Sequence, residues 1–135
     1  MVVVPYTNLR KETRQSLPSD ARLVRMSSDE DYWRLLASLW GQEFCIVEHD
    51  IVVHAGVFSS FAQCDNGWCL FPYTGPGGVL LTKSLGCTRF RALCELDFST
   101  PVRWDRLDAW LYDALRARGY TPCVHNPPVR HLHWE

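Results

Sequence analysis

The chain has 135 residues, 47% of them hydrophobic and 21% charged, and 14 basic side chains against 15 acidic ones leave a formal net charge of -1. That is the balance of one ordinary globular domain with enough apolar material for a core, and it argues against both a disordered chain and a strongly basic nucleic-acid-binding module. No stretch approaches the roughly 20 apolar residues that span a bilayer, and the start, MVVVPYTNLRK, lacks the basic region and long apolar core of a secretory signal, so a cytoplasmic protein without a membrane partner is expected.

Val2-Val3-Val4 is short and β-branched, as suits a strand buried on both faces, and Pro5 is expected to end it. A loop follows at Tyr6-Thr7-Asn8. Residues 9–17 read as a polar helix ahead of Pro18, and Ala21 to Met26 as a second strand around Leu23 and Val24. Ser28 followed three residues later by Asp31 resembles a capping box, and Trp33, Leu35, Leu36, Leu39 and Trp40 recur at helical spacing until Gly41 stops the helix. Phe44 to Val47 is the third strand. Alternation of strand and helix predicts an α/β fold: a single domain over 1–135 with a mostly parallel, Rossmann-like sheet and helices on both faces. Ligands bind such sheets beyond the carboxyl ends of the strands.

Further along, VFSSFAQC reads as a short helix, Trp68 to Tyr73 as a strand, and TGPGG at 74–78 as a flexible loop suited to a lid. Gly86 to Arg91 is expected to lead into a helical pattern ending near Leu96. The last helix covers about Trp104 to Arg118, with Leu107, Leu111 and Leu115 on one face and Gly119 as its stop.

The chemistry gathers in FCIVEHDIVVHAG at 44–56. Glu48 and Asp50, two residues apart at a strand end, share a face if extended and lie roughly 6–7 Å apart at the alpha carbons. They can converge on Mg²⁺ or Mn²⁺ shared with a substrate phosphate, or stand as solvated turn residues. His49 points the other way and is read as hydrogen-bonded within the fold. Arg89 and Arg91 carry the donor fork that holds phosphates. Asp105, with Asp108 in reserve, is the candidate general base, although an acid in the first turn of a helix is also explained by the helix dipole. Trp68, Tyr73, Trp104 and Trp110 offer stacking faces or core material. The six cysteines are expected to be reduced. Cys45 and Cys94 sit in apolar runs, Cys64 and Cys69 flank a turn at DNGW, and neither that spacing nor Cys87 to Cys94 matches a zinc knuckle.

Several of these segments, in this order, resemble the nucleotide-sugar glycosyltransferases of the GT-A type. Val2-Val3-Val4-Pro5-Tyr6 looks like their opening strand and nucleotide-cradling loop, FCIVEHDIVVHAGVF like the strand, acidic motif and following turn, and Gly86-Cys87-Thr88-Arg89-Phe90 like the acceptor-side segment. WDRLDAWLYDALRARGY resembles the late acidic helix. The motif here is Glu-His-Asp where the family has Asp-x-Asp, and the chain is much shorter than a usual member, so acceptor-binding elements are either missing or supplied by a partner protein or a second copy. The resemblance implies a metal-dependent transferase of a minimal GT-A-type fold that uses Mn²⁺ or Mg²⁺ and a nucleotide-diphosphate sugar. On this reading Pro5, Tyr6, Thr7, Glu48 and Arg89 hold the donor, and Asp50, Glu48, His131 and His133 hold the metal. Asp105 or Asp108 takes the acceptor proton. The competing expectations are a metal-dependent hydrolase or nuclease that draws on Glu48, Asp50, His125, His131 and His133, and a non-catalytic binding domain on the same sheet.

Overall fold

The computed structural model of the protein describes residues 1–132, so the expectation for His133 lies outside the described residues. In chain order the elements are β1 (Val2–Tyr6), α1 (Lys11–Ser16), β2 (Arg22–Arg25), α2 (Asp31–Leu39), β3 (Phe44–Val47), β4 (Ile51–Val52), α3 (Val57–Gln63), β5 (Trp68–Leu70), β6 (Tyr73–Thr74), β7 (Leu80–Leu81), β8 (Cys87–Phe90), α4 (Trp104–Ala117), β9 (Cys123–Val124) and β10 (Arg130–His131). The main sheet has the order β2-β1-β3-β8-β5-β9. Strand β8 is antiparallel to both neighbours, and the other adjacent pairs are parallel. The domain is therefore mixed α/β with a mostly parallel sheet.

The connections explain where the helices lie. The chain passes from β1 to β2 on one side, then returns over β1 to reach β3 on the other. Right-handed crossovers in opposite directions put the two connecting helices on opposite faces. The two cores follow that division. On one face α2 and α4 pack Leu36, Leu39, Leu107, Leu111 and Leu115 against Val3, Phe44, Ile46, Trp68 and Phe90. On the other, Leu17, Ile51, Val57, Phe61 and Phe71 pack against Val4, Cys45, Val47, Cys69 and Cys87. Successive residues of β1 and β3 alternate between these cores, as the two-residue period of a strand requires.

Local chemistry accounts for several element boundaries. Asp31 reaches back to accept hydrogen bonds from the backbone N–H groups of Ser27 and Ser28 and from the Ser28 hydroxyl, at 2.7, 3.0 and 2.8 Å, which fixes the start of α2. Gly41 and Gly119 follow α2 and α4 at φ of 96° and 86°, the left-handed region where a side chain is strained. Strand β1 runs past the expected stop at Pro5 and pairs Pro5 with Val24.

One expectation is corrected. Residues 87–90 form a strand at the centre of the sheet, every one of them buried, and the segment between β8 and α4 has no helix. Hydrogen bonds on both edges of a central strand outweigh the helical spacing of RFRALCEL. The irregular segment is held by its side chains: Leu93, Leu96, Phe98 and Val102 pack on the α2–α4 core, and the Cys94 carbonyl accepts the Trp40 indole N–H at 2.9 Å. Among the described residues no helix is long and apolar enough to cross a membrane.

Candidate functional site

The loops after β1 and β3 part where the chain reverses its travel across the sheet, the place where α/β sheets open a crevice. A cleft of about 740 Å³ lies there, within the size range of small-molecule sites. Pro5, Tyr6 and Thr7 wall it from β1, Met26 to Asp29 from β2, and Glu48, His49 and Asp50 from β3; Tyr32, Tyr73, Trp104 and His131 complete it.

His49 fastens the β1 loop to the end of β3. Its Nδ1 accepts the backbone N–H of Thr7 at 3.0 Å and of Asn8 at 3.3 Å, and its carbonyl accepts the N–H of Arg10 at 3.0 Å. The expectation of a structural rather than ligating histidine fits this geometry.

Asp50 faces His131, with Oδ2 and Nε2 3.0 Å apart. The approach is set by backbone: β10 pairs antiparallel with β4, placing His131 opposite Ile51, and the Leu132 N–H bonds to the Asp50 carbonyl at 2.8 Å. Burial works against ionisation of Asp50, but the hydrogen bond and charge of His131, with a contribution from His49, outweigh it and hold the carboxyl below its ordinary value. Tyr73 packs on the His131 ring with centroids 4.6 Å apart.

Glu48 behaves differently although it is only two residues away. Its carboxyl turns inward beside the buried Tyr32 hydroxyl, which closes no hydrogen bond of standard geometry. Burial, and then the charge of Asp108, raise Glu48 to about 8. Asp108 is itself raised to about 6 by burial, against a hydrogen bond from the Leu85 N–H at 3.3 Å. Two buried carboxyls that feel each other's charge do not both ionise readily, so the pair retains a proton at neutrality.

The expected residues thus divide. Pro5, Tyr6, Thr7, Glu48, Asp50 and His131 share the cleft. Arg89 does not reach it, which corrects the donor-binding expectation. Arg89 is 1% exposed, and its guanidinium donates to the carbonyls of Phe61, Cys64 and Asn66 at 2.7, 3.2 and 2.6 Å. Asp105 is exposed and paired with Arg103 at 3.3 Å, whereas Asp108, three residues on, turns to the interior and accepts the Leu85 N–H. His125 does not join Asp50 and His131. It stacks on Phe71 with ring centroids 5.3 Å apart and stands with Cys64 and Cys69, the ligand atoms of all three lying within 4.8 Å of one another. Glu48, Asp50 and His131 are not gathered to that degree.

Of the four aromatic residues weighed for stacking, Trp68 and Tyr73 are buried and Trp110 packs on the α2–α4 core. Trp104 is 58% exposed at the cleft rim, where its backbone N–H donates to the Asp29 carbonyl at 2.9 Å. The TGPGG loop lines a neighbouring hollow of about 590 Å³ that shares His131 with the cleft, and its Gly77 and Gly78 take φ of 68° and 77°.

Asp50 and His131 offer an oxygen and a nitrogen donor to one point, a set that suits Mn²⁺ and is tolerated by Mg²⁺. A cation there would replace the hydrogen bond they make to each other. No protein-family model matches the chain, and no curated protein is significantly similar to it.

Proposed function

We propose that the protein is a small metal-dependent glycosyltransferase that moves a sugar from a nucleotide-diphosphate donor to an acceptor hydroxyl, on a minimal GT-A-type fold. The observation that carries this reading is the switch-point cleft in which Asp50, immediately beyond β3, meets His131 from the chain end while His49 fixes the β1 loop beside them. Nucleotides bind open α/β sheets at this position.

Asp50 and His131 would hold the ion, which when bound offsets the charge of the departing diphosphate. The remaining steps belong to the chain. The β1 loop at Pro5, Tyr6 and Thr7, held by His49, forms one wall for the nucleoside, and Trp104 offers it an exposed ring face. Glu48, carrying a proton, is a donor as well as an acceptor and suits a ribose hydroxyl better than a cation. In this reading Asp108, turned inward and raised to about 6 by burial, is assigned the proton transfer, rather than Asp105, which faces solvent.

Thermal denaturation with a panel of nucleotide-diphosphate sugars, with and without Mn²⁺, tests the reading. One donor class is expected to raise Tm only with the ion, with slow release of nucleoside diphosphate as water replaces the acceptor. Asp50→Ala is expected to remove the metal-dependent shift while leaving the fold intact. Metal-dependent cleavage of a phosphodiester, with no response to any sugar nucleotide, would transfer the site to the hydrolase reading.

A further inference from the structure

Away from the cleft, the turn between α3 and β5 brings Cys64 and Cys69 to the sheet face beside β9, which carries Cys123 and leads into His125. Strand pairing enforces the meeting: β5 and β9 run parallel with Cys69 opposite Cys123, and the His125 N–H bonds to the Leu70 carbonyl at 2.8 Å. The ligand atoms of Cys64, Cys69 and His125 all lie within 4.8 Å of one another, and Cys123, opposite Cys69 on the adjoining strand, brings a fourth donor to their edge. We propose that Cys64, Cys69, Cys123 and His125 form a structural zinc site that ties the C-terminal segment to the α3–β5 turn.

Three features support a cation here beyond proximity. The Nε2 of His125 is buried and has no hydrogen-bond partner, an arrangement that costs free energy unless something coordinates it. Its ring is held by the stack on Phe71 and the edge contact with Phe61, at 5.3 and 6.0 Å between centroids. Zinc bound at about 2.3 Å to sulfur and 2.0 Å to nitrogen needs ligand atoms roughly 3.5–3.8 Å apart, a small contraction from the spacing present.

The third feature is Arg89. Among the described residues the carboxylate paired with this buried cation is that of Glu43, at 3.6 Å; that side chain is 59% exposed and also faces Arg91 at 3.8 Å. Buried charges are normally paired. Three thiolates and a neutral imidazole around Zn²⁺ carry a net charge of about -1, a buried counter-charge for Arg89 beside that of the exposed, shared Glu43. The Nη2 of Arg89 donates to Cys69 Sγ at 2.8 Å, the outer hydrogen bond that orients and tunes a metal-bound thiolate. No acidic side chain is needed, and soft sulfur ligands select zinc over the Mn²⁺ or Mg²⁺ suited to Asp50 and His131. Sequence spacing conceals the site because the second pair of ligands arrives from another strand.

The site is tested on the full chain by metal analysis after purification in zinc-containing buffer, and by the absorption spectrum after exchange into Co²⁺. One zinc per chain is expected, with thiolate-to-cobalt charge transfer and tetrahedral cobalt bands. Asp50→Ala should leave both unchanged. Cys123→Ser should lower zinc affinity by more than the roughly 10- to 100-fold attached to loss of an outer hydrogen bond. Should a cysteine variant fail to fold, the wild-type spectrum still decides. Absence of charge-transfer bands in folded, reduced protein overturns the proposal, and so does a disulfide between Cys64 and Cys69 or Cys123 by mass spectrometry.

Discussion

Replacing Glu48 with glutamine should stabilise the metal-free protein at neutral pH and change little in acid. The folded protein binds the Glu48 proton up to about pH 8, against an ordinary value of 4.5, chiefly because the carboxyl is buried and then because Asp108 faces it. Below pH 4.5 folded and unfolded chains are both protonated there, and the group contributes no pH dependence. As pH rises further, the unfolded chain gives up this proton and the folded chain keeps it, so stability falls until the pH passes 8 and then levels. At 1.36 kcal/mol for each pH unit, the loss reaches about 3 kcal/mol at pH 7. An amide does not titrate and escapes it.

The expected gain for Glu48→Gln is therefore about 2–3 kcal/mol at pH 7, or on the order of 10 °C in Tm for a domain of this size. Urea denaturation in the presence of a chelator, from pH 4 to pH 8.5, measures it. The two stability profiles should meet near pH 4 and separate progressively up to pH 8. Parallel profiles, or a variant less stable than wild type at pH 7, would refute the reasoning: the first means that folding does not raise the Glu48 carboxyl, the second that it is ionised and favourably paired in the folded state.

Trp104→Ala should leave stability within about 0.5 kcal/mol, as for exposed surface positions, and weaken donor binding by about 1–3 kcal/mol if the ring stacks on a base; calorimetry reads both. Gly86→Ala should lower stability by about 1–3 kcal/mol, because the added methyl meets the Tyr73 ring at 2.8 Å from its hydroxyl oxygen, and should shift the His131 imidazole resonances through the displaced ring. Asp108→Asn should abolish sugar transfer while donor binding survives, and Asp105→Asn should match wild type in both, since its exposed carboxylate meets only Arg103; a transfer assay with any responsive donor compares them.

Much of the first half of the fold is legible in the sequence because each element there carries its own signal. Asp31 behind Ser28, the apolar period from Trp33 to Leu39 and the uninterrupted Phe44-Cys45-Ile46-Val47 are local statements, and the parallel order follows from their alternation. Strand β8 is not local. Cys87 to Phe90 becomes a strand because β3 and β5 offer free edges on both sides, and nothing within residues 86–96 reports those neighbours. Arg89 was misread for the same reason: an arginine after a glycine suggests a phosphate fork, but strand alternation sends this one under α3, where helix-end carbonyls receive it.

The site shows how two carboxylates in one short motif acquire opposite roles. Glu48 and Asp50 have the same chemistry and are separated by one residue, so spacing alone makes them equivalent metal ligands. The turn at 48–51, closed by the Ile51 N–H on the Glu48 carbonyl at 3.1 Å, gives them different surroundings. Asp50 meets an imidazole and is held ionised; Glu48 is buried, under the charge of Asp108, and is held protonated. Environment separates acid from base among like groups, as it does in catalytic carboxyl pairs generally. The residue that makes the difference for Asp50, His131, reaches it only through the β4–β10 pairing. Cys123 and His125, as zinc ligands, would anchor that same segment before it reaches Asp50, and removal of zinc should loosen the cleft as well as the β5–β9 edge.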